Sequence, residues 1–225
     1  MYQLMKNLQI TVNEDIYKKN PEGTDLGKSI IKGGIELIDE LGLENFTFKK
    51  LALHIGTTES GIYRYFDNKH MLLLYLVNWY WTWLEYQLVF STHNLSDHTE
   101  KLNLAIDILT KPVESSGAFG HINEAVLYRI VTAESYKAYL TKEVDKQNVE
   151  GFFSGYKRII GRIGELILGV NNNFQYPNTL ATTLIESSSL QKYFAIHFPG
   201  LTDIGKDEKQ IGTFFKTLII SMIKQ

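Results

Sequence analysis

The chain has 225 residues, 44% hydrophobic, 12% aromatic and 21% charged, with no cysteine. That is enough apolar material for a packed core and too much for a disordered chain, and it leaves no disulfide, thiolate metal site or cysteine nucleophile. Twenty-three basic against 25 acidic residues give a formal charge of -2, which excludes a protein that coats nucleic acid through bulk charge.

The N-terminal stretch, residues 1–23, lacks the continuous apolar run of a signal peptide. Residues 1–21 balance Lys6, Lys18 and Lys19 against Glu14 and Asp15, and the stretch reads as an arm, either on DNA or, in better keeping with that balance, a disordered or crossing tail. Leu26, Ile30, Gly34, Leu37 and Leu41 then recur at helical spacing, with Gly42 placed to end the helix. Thr47 opens a short helix over 48–55, with Leu51, Ala52 and Ile55 inward. Gly56 supplies a turn, and Thr58 opens a second short helix to about Phe66, docked by Ile62 and Phe66. Two short helices joined by a tight glycine turn form a helix-turn-helix, whose second helix enters the major groove of DNA.

Residues 71–90 (MLLLYLVNWYWTWLEYQLVF) are long enough to span a bilayer. Asn78, Thr82, Glu85 and Gln87 interrupt them, and the aromatics sit mid-segment, so a helix buried within a helical domain is the better reading. Breaks follow at 114–120 and 169–178. Further helical stripes run through Ile159, Ile163, Leu166 and Ile167, through Leu180, Leu184, Leu190 and Phe194, and through Phe214, Leu218 and Met222. Pro21, Pro112, Pro177 and Pro199 each lie near the edge of such a run. Strand alternation is not evident; the fold class is all-α.

The segment IIKGGIELIDELGLENFTFKKLALHIGTTESGIYRYFDNKHMLL, residues 30–73, resembles the TetR family of bacterial repressors. An amphipathic helix ending in Gly, a helix-turn-helix and a Tyr-x-His/Tyr-Phe-x-x-Lys run recur with matching spacing. The resemblance implies a helix-turn-helix DNA-binding domain at 24–70 and a helical ligand-binding and dimerisation domain at 71–225. It also implies DNA contacts from Thr57, Thr58, Glu59, Ser60, Tyr63, Tyr65 and Lys69, with Lys49 and Arg64 as further candidates. Gly61 either lets the helix approach DNA closely or is a glycine tolerated in an exposed turn.

Charge placement agrees. Residues 47–69 hold four basic and two acidic groups, a local +2, whereas 25–45 hold two basic and five acidic, a local -3. Two departures from the family pattern stand out. Gly33 and Gly34 replace the usual Ala at about 1 kcal/mol each in helix propensity, which close helix packing would explain. Glu59 replaces a basic or polar residue, and either accepts from a cytosine amino group or repels phosphate.

In the second domain, Trp79, Trp83 and Tyr86 share a helix face and are either core or pocket lining. His121, Asn123, Tyr128 and Arg129 are candidates for the polar end of an effector, itself expected to be apolar or aromatic. No dense ligand set suggests a metal, no motif suggests a cofactor, and no placed base accompanies Ser115 or Ser116, so an enzyme is not expected. The last two helical regions, 177–198 and 207–224, match the elements through which the family forms homodimers.

The sequence thus predicts a cytoplasmic, ligand-responsive regulator of transcription, with double-stranded operator DNA as partner and no membrane. It is expected to be a repressor that binds a palindromic operator as a homodimer. The alternative is a helical protein of the same fold that binds lipid or apolar small molecules without acting on DNA.

Overall fold

The computed structural model describes residues 10–205 and 209–224. Expectations that fall on residues 1–9, and on the start of the last helix at Asp207, lie outside them. The described elements are helical: α1 (Asp25–Asn45), α2 (Phe48–Ile55), α3 (Glu59–Tyr63), α4 (Lys69–Thr92), α5 (His98–Thr110), α6 (Glu124–Tyr139), α7 (Val144–Val149), α8 (Ser154–Val170), α9 (Pro177–His197) and α10 (Lys209–Ile223), with short 3-10 turns between. Among the described residues no helix is long and apolar enough to cross a membrane.

The chain forms two compact units. The first holds residues up to Trp83 together with Val113–Tyr156; the second holds Leu84–Pro112 and the chain from Lys157 on.

In the first unit local caps set the helix ends, those at Thr47, Thr58 and Gly42 as expected from sequence. The Thr24 hydroxyl accepts from the Gly27 N–H at 3.0 Å, and Gly42, at φ +72°, breaks the regular backbone near the end of α1. Thr47 and Thr58 cap α2 and α3 through the N–H groups of Lys50 and Gly61. Gly56 at φ +68° makes the turn, a conformation glycine adopts without steric cost. Helix α3 stops at Tyr63, short of Phe66. The N–H groups of Tyr65 and Phe66 both return to the Ile62 carbonyl, at 2.8 and 3.2 Å, and turn two aromatic rings into the core.

Gly33 and Gly34 explain themselves by proximity. A Cβ on Gly33 would lie 2.6 Å from Ile55 Cγ2, and one on Gly34 would lie 3.1 Å from Leu72 Cδ2. Both glycines let neighbouring helices approach α1.

Residues 10–23 are not a free tail. Ile10, Val12, Ile16 and Pro21 are buried, the Lys18 N–H donates to the Tyr65 carbonyl at 2.8 Å, and the Asn13 amide donates to the Glu150 carbonyl. Their alternating apolar side chains give the segment a face to bury, which outweighs its polar composition. Helix α4 is buried on nearly every face from Leu72 to Glu85. A helix surrounded by protein needs the same apolar girth as one surrounded by lipid.

Helix α6 packs on α1 along a polar seam. Arg129 makes a bidentate pair with Asp39 (2.9 and 2.6 Å). Glu134, largely buried, accepts from the Leu43 N–H at 3.0 Å, and Lys137 bridges Glu134 and Glu44 at 2.7 and 3.1 Å. That ammonium holds the Glu44 carboxyl below the ordinary carboxylate range.

In the second unit, Leu180 and Leu184 of α9 are buried, as are Ile211, Phe215, Ile219 and Ile223 of α10. The row read from sequence on α10, Phe214, Leu218 and Met222, is offset by one residue from that core face, a rotation of about 100°. Phe214 is 50% exposed where Phe215 is 1% exposed. The Glu85 carboxylate is buried between Arg158 and Arg162, at 2.7 and 2.6 Å. The break at 169–178 is shorter than expected, because α8 runs to Val170 and Pro177 opens α9.

Candidate nucleic-acid interface

The helix-turn-helix divides its side chains into two sets. Thr58, Glu59, Ser60, Tyr63 and Arg64 are exposed on or beside α3, Thr57 is half-buried, and Lys49 is exposed on α2. The Tyr63 ring stands edge-on to Phe48 at 5.1 Å and remains 45% exposed, so it is held at its base and open at its rim. These groups offer the donors and acceptors that read base edges and the cations that meet phosphate. The inner side of α3 is closed by Ile62 and Phe66, both fully buried.

Three residues singled out in the motif occupy other positions. Tyr65 is 2% exposed, and its hydroxyl shares a 2.7 Å hydrogen bond with the Thr24 hydroxyl, so its ring is not a surface contact. Lys69 is half-buried, and its ammonium donates to the carbonyls of Leu43, Glu44 and Phe46 at 2.8, 3.1 and 3.3 Å. The lysine satisfies carbonyls left open where α1 ends, which is favourable in charge as well as hydrogen bonding. Gly61 is not a glycine in an exposed turn. It is buried, and a Cβ there would lie 3.0 Å from the Thr57 hydroxyl and 3.9 Å from Leu26, so the missing side chain serves internal packing.

Lys18, not a candidate in sequence, reaches the same surface. Its ammonium donates to the Tyr63 carbonyl at 3.3 Å and pairs with Asp67. The sequence holds no local signal for this, since the partners lie 45 residues apart.

The effector candidates separate in the same way. Trp79 and Trp83 are buried and Tyr86 half-buried. Trp79 meets Phe119 edge-on at 4.9 Å, and Tyr80 lies between Trp83 and Tyr128. Asn123 caps α6 through the Val126 N–H, and Arg129 is committed to Asp39, so both have structural work. His121 lies 2.9 Å from the Glu22 carboxylate, which also accepts from the Tyr75 hydroxyl at 3.0 Å. Burial, with Glu22 adding to it, pushes that hydroxyl far above its ordinary range and keeps it a neutral donor. His121 and Asn123 also line a cleft of about 280 Å³ between α1 and the loop before α6. Among the described residues no group of three His, Asp or Glu side chains could hold a metal ion.

Among the described residues the chain is all-α and presents a helix-turn-helix on a buried, capped support. Residues 30–76 match the family model described as bacterial regulatory proteins, tetR family.

Solved structures agree on the fold. AibR, in a complex with isovaleryl coenzyme A and operator DNA, is 16% identical, with 85% of this chain and 96% of that one covered at a TM-score of 0.59. The fatty acid degradation regulator FadR from Bacillus halodurans is 17% identical, with 88% and 95% covered at 0.61. A regulator from Saccharomonospora viridis in complex with choline is 18% identical, with 86% and 94% covered at 0.60. No curated protein matches the sequence.

Proposed function

We propose that the chain is a homodimeric, ligand-responsive regulator that binds a palindromic operator through α3 and acts as a repressor. The observation that carries this reading is the exposed set Thr58, Glu59, Ser60, Tyr63 and Arg64, with Lys49 beside it, on a helix whose opposite side is sealed by Ile62 and Phe66. The modest local charge suits a paired reader, because two copies double the phosphate contacts. Exposed apolar side chains on α9 and α10, Leu190, Tyr193, Phe214 and Met222, support pairing through these helices. Leu180 and Leu184 are spoken for by the core of one chain.

Recognition helices of such a dimer must sit about one DNA turn apart. An effector that binds better to a different spacing shifts the population away from the docked state. The seam from Asp39–Arg129 to Glu44–Lys137 supports this coupling, since it ties α6 to the helix on which α2 and α3 rest. AibR is described in complex with isovaleryl coenzyme A and FadR as a fatty acid degradation regulator, which is compatible with an apolar effector here.

The test is an electrophoretic mobility shift on DNA upstream of the chain's own gene, at low and moderate salt. Selective retention of that DNA, weakened by Tyr63→Ala and Lys49→Ala with the fold intact, is expected. Equal retention of unrelated DNA, or indifference to both substitutions, would overturn the reading.

A further inference from the structure

The cleft between α1 and the loop before α6 lies wholly within the first unit. Lys32, Ile35 and Glu36 of α1 form one side; Phe119, His121, Ile122 and Val126 form much of the other. The loop is shaped by the fully buried Glu124, whose carboxylate accepts from the Ser115 hydroxyl at 3.1 Å, from the Ser116 N–H at 3.3 Å and from the Ser116 hydroxyl. Phe119 is braced against Trp79 at 4.9 Å.

Charge in the cleft is unevenly satisfied. Glu36 faces His54 at 2.8 Å, and His121 faces Glu22 at 2.9 Å. Lys32 is exposed and makes no ion pair among the described residues. Phe119 and Val126, both half-buried, give the cleft its apolar surface over the buried Ile35 and Ile122, beside that one unmatched cation.

We propose that this cleft binds a small monocarboxylic acid with an apolar or aromatic body, its carboxylate on the Lys32 ammonium and its body against Ile35, Phe119, Ile122 and Val126. One cation with an apolar wall matches a monoanion of this kind; a phosphate or dianion would need more donors than Lys32 supplies. The site is built on the reading unit itself. Glu36 contacts His54 of α2, and Gly33, on the next face of α1, contacts Ile55 of α2. A carboxylate brought beside Glu36 therefore acts on the contact between α1 and α2. That consequence rests on the DNA-reading function proposed above, whereas the binding itself does not.

Calorimetric titration of the full chain with benzoate and with hexanoate tests the site, using benzamide as the uncharged counterpart. One saturable site per chain is expected, with benzamide at least about tenfold weaker and Lys32→Gln weakening benzoate by about tenfold, as loss of a charge-assisted contact does. Lys142→Gln, the same charge change at an exposed lysine outside the cleft, should leave binding unchanged. Benzamide binding as well as benzoate, equal losses in the two lysine variants, or no saturable binding of either acid would overturn the proposal. The benzamide comparison uses the unaltered chain and does not depend on the variants folding. Mobility shifts on the same samples are read separately: absent DNA binding with intact benzoate binding sinks the regulator reading and leaves the cleft standing.

Discussion

Residues 57–64 and residues 65–72 are consecutive stretches of one motif, and the positions its family pattern singles out face solvent in the first and the interior in the second. The first stretch turns Thr58, Glu59, Ser60, Tyr63 and Arg64 to solvent. The second buries Tyr65, Phe66 and Leu72 and seats the Lys69 ammonium on three carbonyls at the end of α1. A family pattern read along the chain treats the two alike. The folded chain separates an exposed surface from the support that fixes its angle.

The strongest way to break that support is at Gly27, where an added Cβ would lie 2.2 Å from the Pro21 carbonyl oxygen. The clash is with backbone, so Gly27→Ala should cost about 3 kcal/mol or more as overpacking, and the roughly 1 kcal/mol that alanine returns in helix propensity leaves a net loss of about 2 kcal/mol or more. Urea unfolding reads this directly, and an unchanged midpoint would mean that residues 10–23 do not hold α1.

Next comes Lys69→Met, which keeps the apolar stem and removes the donor from three carbonyls. Stability should fall by about 1–2 kcal/mol, with any loss of DNA affinity following from it. A variant of full stability that no longer binds DNA would return Lys69 to the reading surface. Tyr65→Phe, which deletes the hydrogen bond to Thr24, should cost about 0.5–1.5 kcal/mol while leaving operator affinity intact.

Lys49→Ala makes the converse test. Stability should move by less than about 0.5 kcal/mol, and the slope of log affinity against log salt should fall by about one phosphate contact. An unchanged salt slope would place Lys49 away from the backbone of DNA.

The smallest effect is one of pH. Burial lowers the pKa of His70, with the Gln147 hydrogen bond opposing. The unfolded chain therefore takes up a proton near pH 6.5 that the folded chain resists. Stability should decline as pH falls through about 6.5 and level off below the folded value. His70→Asn should flatten that part of the profile, as measured by unfolding at pH 7.5 and 5.5; an equally steep decline would assign it to other groups.

Much of the local structure was legible in the sequence because caps and turns are local. Thr24, Thr47 and Thr58 lie within three residues of the N–H groups they cap, and Gly42 and Gly56 act through their own backbone angles. The seam between α1 and α6 was not legible, because Asp39 and Arg129 are 90 residues apart and either alone is an ordinary surface charge. The cleft was half legible: His121 and Asn123 were picked out as polar, while Lys32, Ile35 and Phe119 carried no local signal.

The sequence by itself determined an all-α chain, the helix-turn-helix and the limits of α2, since helical period and capping act over three or four residues. Only tertiary packing decided which residues of that motif face solvent. Tyr65 and Lys69 have side chains suited to touching phosphate and equally suited to a hydroxyl partner or a row of open carbonyls. The choice between those partners was made by where α1 ends and how closely Gly33 and Gly34 let its neighbours approach. Packing decided the faces of α10 too: Phe214 and Phe215 are chemically identical, and the core selects one of them by a single residue's rotation.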